Sequence, residues 1–416
     1  MGKYVWNNNL KIRLIGEGIF NLFYWMYFPF IAIYFANELG LKMAGLLMTI
    51  PPAVSIIGNM IGGNLADQLG RRPVMLIGIA MQTIMFAIFS LSFNSWFDYF
   101  AFIGIGFGGA IYGPASDAMV ADLVPENFRR QVFATYITAN NIGAVLGPVL
   151  GAIFFFHYRN ELLWTCTIVM LLYFITVFLK VDETIPKHSV KGFQSNTHIT
   201  SLSRQWKGYL LILKDKVFVL YILAGVLSVI TIMQLDLYLA IYMTENVPAQ
   251  TFIKWGDWHV FLESTEILGW ILGFNGLLFI LFVLPVSHWF KRWKDRDVFI
   301  LSCILAGGGM FAVGFTTNIW LLFVCTLFFT FGEIVRSPVI HNFVSHYAPE
   351  NARGQYMAAS RLQFTIGRFF APVTVFLSAI VPPILIFGFI LICAFISLVL
   401  YVIVFKSNIQ EYEHKF

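Results

Sequence analysis

The sequence predicts an all-α polytopic membrane protein with twelve transmembrane helices in two pseudo-symmetric six-helix halves. Three observations predict this fold: the composition, the length of the apolar segments and an internal repeat. Of the 416 residues, 58% are hydrophobic and only 12% are charged, and the mean hydropathy is +0.76. These values lie outside the usual range of soluble domains. A soluble core in a chain of this length could not bury so many apolar helices.

The apolar segments have the length that a bilayer requires, since a helix crosses the hydrocarbon core with about 20 apolar residues. The first segment is too long and too aromatic for a cleaved signal peptide. The four cysteines lie inside apolar segments without metal-ligand spacing, which indicates buried packing and predicts no metal site. The predicted spans lie near residues 14–36, 44–65, 73–93, 98–121, 134–156, 162–180, 217–243, 267–289, 298–316, 319–341, 358–380 and 383–405.

The distribution of lysine and arginine predicts the orientation. Most of the 27 basic residues fall on the side that holds the N-terminus and alternate loops, Arg13 among them. The opposite side holds only Lys42, Arg159 and Lys254. The positive-inside rule therefore predicts that both termini are cytoplasmic, and we expect a multi-pass protein of the plasma (inner) membrane. This topology explains the net charge of +5, so we expect no nucleic-acid partner.

The chain repeats itself. Residues 113–148 align with residues 337–372 at an offset of 224, and residues 31–38 align with residues 239–246 at an offset of 208. The difference of 16 indicates an insertion in the loop between spans seven and eight. Repeats of this kind are typical of transporters built from two parallel halves. The predicted organisation is an N-terminal half at 1–180, a cytoplasmic linker at 181–215 and a C-terminal half at 216–416.

The short turn between the second and third spans carries the pattern Gly63-x-x-x-Asp67-x-x-Gly70-Arg71-Arg72. Glycine permits tight turns and close helix approach. A carboxylate such as that of Asp67 is favoured at a helix N-terminus, and Arg71 can bind a carboxylate through two parallel hydrogen bonds. The alternative is a solvated turn whose arginines only obey the positive-inside rule.

This turn resembles the signature loop of the major facilitator superfamily, and twelve spans in two halves resemble the fold of that family over nearly the whole chain. Gln68 departs from the pattern, since the family usually has a basic residue there. The corresponding segment at 287–297 has lost the pattern, so we expect the network mainly in the N-terminal half. The resemblance implies a conformational latch formed by Gly63, Asp67, Gly70 and Arg71.

The fifth predicted span carries a second motif, Gly143-x-x-x-Gly147-Pro148-x-x-Gly151. Glycines four residues apart form one stripe of a helix and let another helix pack closely, and proline bends the helix. A generic packing stripe is the alternative. The motif resembles the antiporter motif of the drug:proton branch of the superfamily, which implies a role of these four residues in antiport.

Ionisable residues inside spans cost about 2.5–3.5 kcal/mol each on insertion scales and need a structural or functional reason. Glu333 and Arg336 are three residues apart and share a helix face, so a structural ion pair and a proton site are both open. Asp122, at the end of its helix, either titrates or joins the latch. The residues concerned are Glu17, Asp117, Asp122, Asp236, Glu333, Arg336, Arg361 and Arg368.

Two of these acids carry a closer resemblance. Asp122 before the sequence Pro-Glu-Asn and Glu333 within Phe-Gly-Glu are similar to the LmrP-type branch of multidrug antiporters. The resemblance implies that such acids are protonated during transport, and we assign proton coupling to Glu333, Asp122 and Asp236. The arginine common in span four of the family is absent from AFIGIGFGGAIYG, so a proton relay through such a residue is not expected.

The first span is the best candidate for the wall of a substrate cavity. Acid, amide and aromatic side chains recur there at helical spacing, and aromatic residues make adaptable apolar cavities. Lipid contact and core packing explain most of the other aromatic residues in the spans. The predicted cavity residues are Glu17, Asn21, Tyr24, Phe28, Asp117, Asp236 and Arg336.

The sequence contains no phosphate-binding GxxxxGK[ST] loop and no nucleophile–base constellation. It therefore predicts no enzyme and no cofactor, and active pumping would draw on a proton gradient. We expect a monomeric, proton-coupled exporter of amphipathic, cationic or neutral, drug-like compounds that works by alternating access. The alternatives are a lipid or anionic-metabolite transporter that uses Arg336, Arg361 and Arg368, and a non-transporting sensor on the same fold.

Overall fold

The computed structural model of the chain describes residues 6–184, 214–349 and 353–413. These residues are almost entirely helical, in accord with the predicted fold class. The elements are α1 (Asn8–Tyr27), α2 (Ile31–Leu39), α3 (Leu41–Leu47), α4 (Ile50–Leu69), α5 (Arg71–Leu91), α6 (Ser95–Leu123), α7 (Glu126–His157), α8 (Arg159–Lys180), α9 (Lys216–Ile232), α10 (Tyr238–Asn246), β1 (Gln250–Trp255), β2 (Trp258–Leu262), α11 (Ser264–Trp289), α12 (Asp295–Val313), α13 (Ile319–Tyr347), α14 (Arg353–Ser360), α15 (Leu362–Phe370), α16 (Val373–Ser378) and α17 (Pro383–Glu413).

Ten helical segments in the described ranges are long and apolar enough to cross a membrane. The predicted fourth and eleventh spans do not meet this description. The fourth corresponds to α6, whose 29 residues include Pro114 and several aspartates. The eleventh corresponds to the shorter apolar segment Leu362–Ser378, which is divided into α15 and α16 before Val373 because Pro372 has no backbone N–H to donate. The chain is thus a multi-pass membrane protein.

The structure forms two compact units. Unit 1 comprises Met1–Gly40 and Ile50–Ser195, and unit 2 comprises Leu41–Thr49 and Asn196–Phe416. The short helix α3 groups with unit 2 because Gly45 lies against the backbone of Phe376, where an added Cβ would come within 2.6 Å of the Phe376 Cα.

The repeat read from the sequence is visible in the helix boundaries. Helices α6 and α13 begin and end 224 residues apart, and α5 and α12 begin at the same separation. Helices α8 and α17 also begin 224 residues apart, whereas α1 and α9 begin 208 residues apart. The two units are therefore built from corresponding helices, and corresponding residues can be compared directly.

The insertion between the seventh and eighth predicted spans, expected as a loop, forms an antiparallel hairpin of β1 and β2. Its two-residue turn starts at Gly256, whose φ of +60° favours glycine at the first central position. Gln250 attaches the hairpin to unit 2, because its amide donates to the Thr317 carbonyl at 2.6 Å and accepts from the Ile319 amide at 3.1 Å. Phe252 stacks on Trp320 with ring centroids 5.0 Å apart.

Candidate functional site

The predicted latch residues form a charged cluster in unit 1. Arg71, the first residue of α5, donates from Nε to Asp122 Oδ2 at 2.9 Å. One terminal nitrogen of the same guanidinium contacts the Ala66 carbonyl at 2.9 Å and Asp67 Oδ1 at 3.3 Å. Gly70 separates α4 from α5 with a φ of +105°, a conformation that a side chain would strain. The structure thus brings Asp67, Arg71 and Asp122 together.

The carboxylate at the N-terminus of α5 is that of Glu183, not that of Asp67 as the sequence suggested. The Glu183 oxygens accept from the backbone amides of Arg71 and Arg72, each at 3.0 Å. Asp67 lies at the C-terminal end of α4, where the helix dipole does not favour a negative charge. Thr184, next to Glu183, donates to Asp122 Oδ2 at 3.1 Å, so the start of the predicted linker belongs to this cluster.

Close packing in the latch segment occurs at Gly62 rather than at the predicted Gly63. A Cβ on Gly62 would lie 2.7 Å from the Cα of Ile111 on α6, whereas a Cβ on Gly63 would make an ordinary contact of 3.8 Å with Pro114. Adjacent residues of a helix face directions about 100° apart, and only one of them can face α6. Gly62 therefore sets the separation of α4 and α6.

The glycine stripe of α7 packs against α1 within unit 1. A Cβ on Gly143 would lie 2.7 Å from the backbone nitrogen of Leu22. Added Cβ atoms on Gly147 and Gly151 would overlap Trp25 and Met26. Pro148 is buried within the same helix. The geometry requires small residues along this crossing, which is the packing role left open by the sequence; an additional role in antiport stays a prediction.

Glu17 lies in a polar network that connects α1 to α6. Its Oε1 accepts from Arg13 Nε at 2.6 Å, from the Tyr112 hydroxyl at 2.8 Å and from Ser116 at 2.6 Å. Arg13 also binds Asp117 at 2.8 Å. The Arg13 side chain is only 4% exposed, although its position near the N-terminus suggested a charge at the cytoplasmic surface. Glu17 is thus ion-paired in the structure, while the Asp117 carboxylate stays mostly solvent-accessible.

The remaining residues of the predicted α1 face have different environments. Tyr24 and Phe28 stack with ring centroids 4.7 Å apart. The side-chain oxygen of Asn21 is buried and accepts no hydrogen bond from the described residues. Aromatic stacking of this kind contributes about 0.5–1.5 kcal/mol beyond area burial, so the aromatic pair has a packing role whether or not it also lines a cavity.

Glu333 of unit 2 is held by neutral side chains. The Asn275 amide of α11 donates to Glu333 Oε2 at 2.9 Å and to Thr330 Oγ1 at 2.9 Å. In the described ranges, Glu333 and Arg336 form no direct ion pair, although they lie within electrostatic range of each other. A role of Glu333 in proton coupling stays a prediction. Asn275 was not found from the sequence, although a single amide in a strongly apolar helix was a signal for it.

Arg336 forms its hydrogen bonds with residues other than Glu333. Its guanidinium donates to the Gly225 carbonyl at 3.4 Å, to Gln363 Oε1 at 3.1 Å and to the Tyr401 hydroxyl at 3.3 Å. Arg336 is buried, while Arg361 and Arg368 are exposed on α15 and its N-cap. The three arginines therefore do not share one environment.

Asp236 lies at the break between α9 and α10, directly after the 3-10 turn Met233–Leu235. It is within electrostatic range of Glu333 and of Arg368. Unit 2 thus contains two acidic side chains that interact with each other inside membrane helices, and their predicted roles in proton coupling remain predictions.

A family model decides the assignment. The model of the Major Facilitator Superfamily matches residues 14–253 and 257–414. The chain belongs to the major facilitator superfamily. It is a membrane transporter and not an enzyme. Its place in the LmrP-like branch stays a prediction.

Two curated relatives of this superfamily member carry different names. A protein of Planococcus maritimus named "Na(+), Li(+), K(+)/H(+) antiporter" is 37% identical over 384 residues, which cover 90% of each chain. The "Multidrug resistance protein MdtH" of Yersinia enterocolitica is 24% identical over 348 residues, which cover 83% of this chain and 80% of the relative. A crystal structure of a POT family transporter in complex with 5-aminolevulinic acid superposes with a TM-score of 0.77 over 98% of each chain. At 16% identity, that likeness shows the fold alone.

Proposed function

We propose that this chain is a proton-coupled antiporter that exchanges protons for cations, with monovalent metal cations as its substrate class. The observation that carries the proposal is the environment of Glu333. This carboxylate lies within a membrane helix and accepts a hydrogen bond from Asn275, whose amide also donates to Thr330. It forms no ion pair with a basic residue among the described residues. A membrane carboxylate without an arginine or lysine partner suits the binding of a proton or another cation.

The chemistry of the site fits alternate occupancy. The Glu333 carboxylate and the Thr330 hydroxyl provide oxygen ligands, which hard cations prefer, while Asn275 directs its amide nitrogen at both. Asp236 adds a second negative charge within electrostatic range, which favours cation entry. A proton on Glu333 removes the charge that a metal cation requires, so the two ions compete for one site. Exchange follows when that site opens to one side of the membrane at a time.

The relatives support this substrate class. The Planococcus maritimus relative, named for Na(+), Li(+) and K(+), matches over nearly the full length of both chains. A second candidate, export of amphipathic drug-like cations, is favoured by the stacked Tyr24 and Phe28 of α1 and by the name of the MdtH relative. An anionic substrate is less favoured, because Arg336 is separated by burial from Arg361 and Arg368.

The proposed orientation places the latch cluster of Asp67, Arg71 and Asp122 at the cytoplasmic side of the plasma membrane. Its contacts would stabilise one access state, since a contact present in only one state shifts the balance between states. The protein would work as a monomer, with protons entering and cations leaving the cell.

The test uses the full-length protein in liposomes that contain a pH-sensitive dye and an acidic interior. External Na⁺, Li⁺ or K⁺ should make the interior more alkaline, since each entering cation exchanges for a proton. We expect Glu333→Gln to lower the initial rate at least about ten-fold, equivalent to 1.4 kcal/mol, with an unchanged melting temperature. Glu161→Gln, at an exposed position in the first turn of α8, is the matched control and should retain the rate.

Tetraphenylphosphonium replaces the metal ions in a parallel measurement. A response to this organic cation and to none of the metal ions would favour the drug-exporter candidate. The absence of a response to every cation by correctly folded protein would overturn proton–cation exchange altogether. A full response from Glu333→Gln would leave exchange intact and reject Glu333 as its site.

A further inference from the structure

Arg336 is a buried positive charge that has no carboxylate in direct contact among the described residues. Its side chain is 3% exposed, and its three hydrogen bonds go to neutral oxygens of Gly225, Gln363 and Tyr401. In the parts of the chain that the structure describes, no carboxylate oxygen lies within 4.0 Å of its guanidinium. Glu333, one helical turn away, is instead bound by Asn275. The charge of Arg336 is thus not neutralised by direct contact.

Two unsatisfied donors lie beside this charge. Arg336 Nε and Gln363 Nε2 are both buried and have no hydrogen-bond acceptor among the described residues. The two side chains are joined by the bond from the Arg336 guanidinium to Gln363 Oε1 at 3.1 Å, so each unsatisfied nitrogen belongs to a group in that contact. Gln363 is also 3% exposed. Buried polar groups are nearly always hydrogen-bonded, so an unpaired buried donor requires an explanation such as a bound water molecule or ion.

We propose that Arg336 and Gln363 bind a small inorganic anion, chloride, inside unit 2. A water molecule could satisfy the two donors but would add no negative charge in contact with the guanidinium, whose electrostatic interaction with Glu333 is indirect, and a buried charge is favoured by a directly bound counter-charge. Chloride supplies both the acceptor and the charge.

The site connects four helices. Gly225 is on α9, Arg336 on α13, Gln363 on α15 and Tyr401 on α17. Chloride at this position therefore stabilises the packing of these helices as a resident structural ion. It does not touch the Glu333 carboxylate and is not the transported substrate. The inference is independent of the proposed antiport and can hold if that function fails.

The first experiment measures the melting temperature of the purified full-length protein while gluconate replaces chloride at constant sodium concentration and ionic strength. A ligand that binds only the folded state stabilises it with a saturable dependence on concentration. We expect such a rise of melting temperature with chloride and with bromide. Equal melting temperatures in chloride and gluconate would overturn the proposal.

The discriminating variant is Gln363→Glu, which places a carboxylate where the anion's charge is needed. We expect it to fold in gluconate and to lose the chloride response. Gln68→Glu makes the same change at an exposed residue of unit 1 and should retain the response in full. A Gln363→Glu protein that still responds like the wild type would contradict the site.

Bromide locates the ion directly. Crystals grown in bromide should show an anomalous difference peak within about 3.5 Å of Arg336 Nε, a distance that is typical of an ionic hydrogen bond to a large anion. An ordinary water peak there without anomalous signal would overturn the assignment, even if the melting temperature responds to chloride.

Discussion

The two units make the same connection between their first and fourth helices with different chemistry. In unit 1, Tyr112 of α6 donates to Glu17 of α1 at 2.8 Å. In unit 2, Arg336 of α13 donates to the Gly225 carbonyl of α9 at 3.4 Å. Tyr112 and Arg336 are corresponding residues at the offset of 224, and Glu17 and Gly225 correspond at the offset of 208. Both units therefore have a hydrogen bond between the first and fourth helices at corresponding positions. The charged residue of this bond is on the first helix in unit 1 and on the fourth helix in unit 2.

The difference shows how charge is distributed between the units. Unit 1 has its buried arginine, Arg13, on the first helix and neutralises it with Glu17 and Asp117. Unit 2 has Arg336 on the fourth helix with neutral acceptors and, one turn away, Glu333 without a basic contact. These two opposite charges interact electrostatically but make no direct contact among the described residues, so each is available to bind a separate ion. Ion chemistry is therefore expected mainly in unit 2.

The polar residues around Glu333 have no polar counterparts at the corresponding positions of unit 1. The residues of unit 1 that correspond to Glu333 and Thr330 are Gly109 and Gly106. Pro51 corresponds to Asn275. None of these residues has a side chain that binds a proton or a cation, so the oxygen-rich cluster is specific to unit 2.

The largest expected effect comes from removing each buried arginine in turn. Arg13→Met leaves two carboxylates without their ion pair and should lower the free energy of unfolding by about 3 kcal/mol or more. Arg336→Met loses only hydrogen bonds to neutral groups, each contributing about 1 kcal/mol, and also removes an uncompensated charge. Thermal melting of both purified variants measures the difference.

Glu17→Gln tests the same point within unit 1. In the double variant with Arg13→Met, the Glu17→Gln substitution removes one of the two carboxylate charges that Arg13→Met leaves unpaired. Part of the lost free energy of unfolding should therefore be regained. If Arg336→Met is as destabilising as Arg13→Met, the contrast between a neutralised and an uncompensated arginine fails.

Much of the fold was predictable because it depends on properties shared by many residues. Composition and apolar length identified the membrane helices, and the repeat at 224 predicted the corresponding boundaries of α6 and α13. The β1–β2 hairpin was missed because it has no counterpart in unit 1. Its position depends on bonds from Gln250 to Thr317 and Ile319, residues that are distant in sequence.

The candidate site was only partly predictable. A single acid in an apolar span, such as Glu333, is conspicuous because its insertion is unfavourable. Its partner Asn275 lies on another helix, and the sequence does not specify which helix faces pack against each other. Arg13 was assigned to the cytoplasmic surface because the positive-inside rule counts charges by loop. Its burial depends on Asp117 of α6 and on the Tyr136 ring, whose centroid lies 4.4 Å from the guanidinium carbon.

The second prediction concerns the ion pairs of Arg71 with Asp67 and Asp122 at the helix ends of unit 1. Asp122→Asn removes the shorter contact to Arg71, 2.9 Å, together with the bond from Thr184. Asp67→Asn removes a contact of 3.3 Å from a carboxylate that is 60% exposed. Hydrogen bonds to charged groups contribute about 1.5–3 kcal/mol, whereas exposed ion pairs contribute about 0–1 kcal/mol.

If antiport depends on this cluster, the proposed exchange rate should fall about ten-fold in Asp122→Asn and about two-fold in Asp67→Asn, since 1.4 kcal/mol is a factor of ten. The dye-loaded liposomes described above measure both rates, with insertion checked by size-exclusion chromatography. A larger loss in Asp67→Asn would show that the contacts of a different access state dominate.

The smallest expected effect lies in a cluster of unit 2 in which tyrosine hydroxyls contact a carboxylate. Asp215 caps α9 by accepting from the Phe218 amide at 2.9 Å, as Asn7 caps α1 in unit 1. It also accepts from the hydroxyls of Tyr347 at 2.8 Å and Tyr356 at 2.9 Å. Because these hydroxyls donate to the Asp215 carboxylate, the strength of the two contacts depends on protonated tyrosines.

Tyr356→Phe tests this dependence on pH. Burial, with the hydrogen bond to Asp215 and its charge, raises the pKa of Tyr356 to about 12, above the value of about 10 for an unfolded tyrosine. A raised pKa contributes stability that is complete below pH 10 and is lost as the pH rises through 12. The wild type should therefore melt slightly above Tyr356→Phe at pH 8, and this difference should shrink between pH 10 and 12. A difference that is unchanged at pH 11.5 would show that the tyrosine contributes through packing against Phe218, whose ring centroid lies 4.6 Å away, and not through its proton.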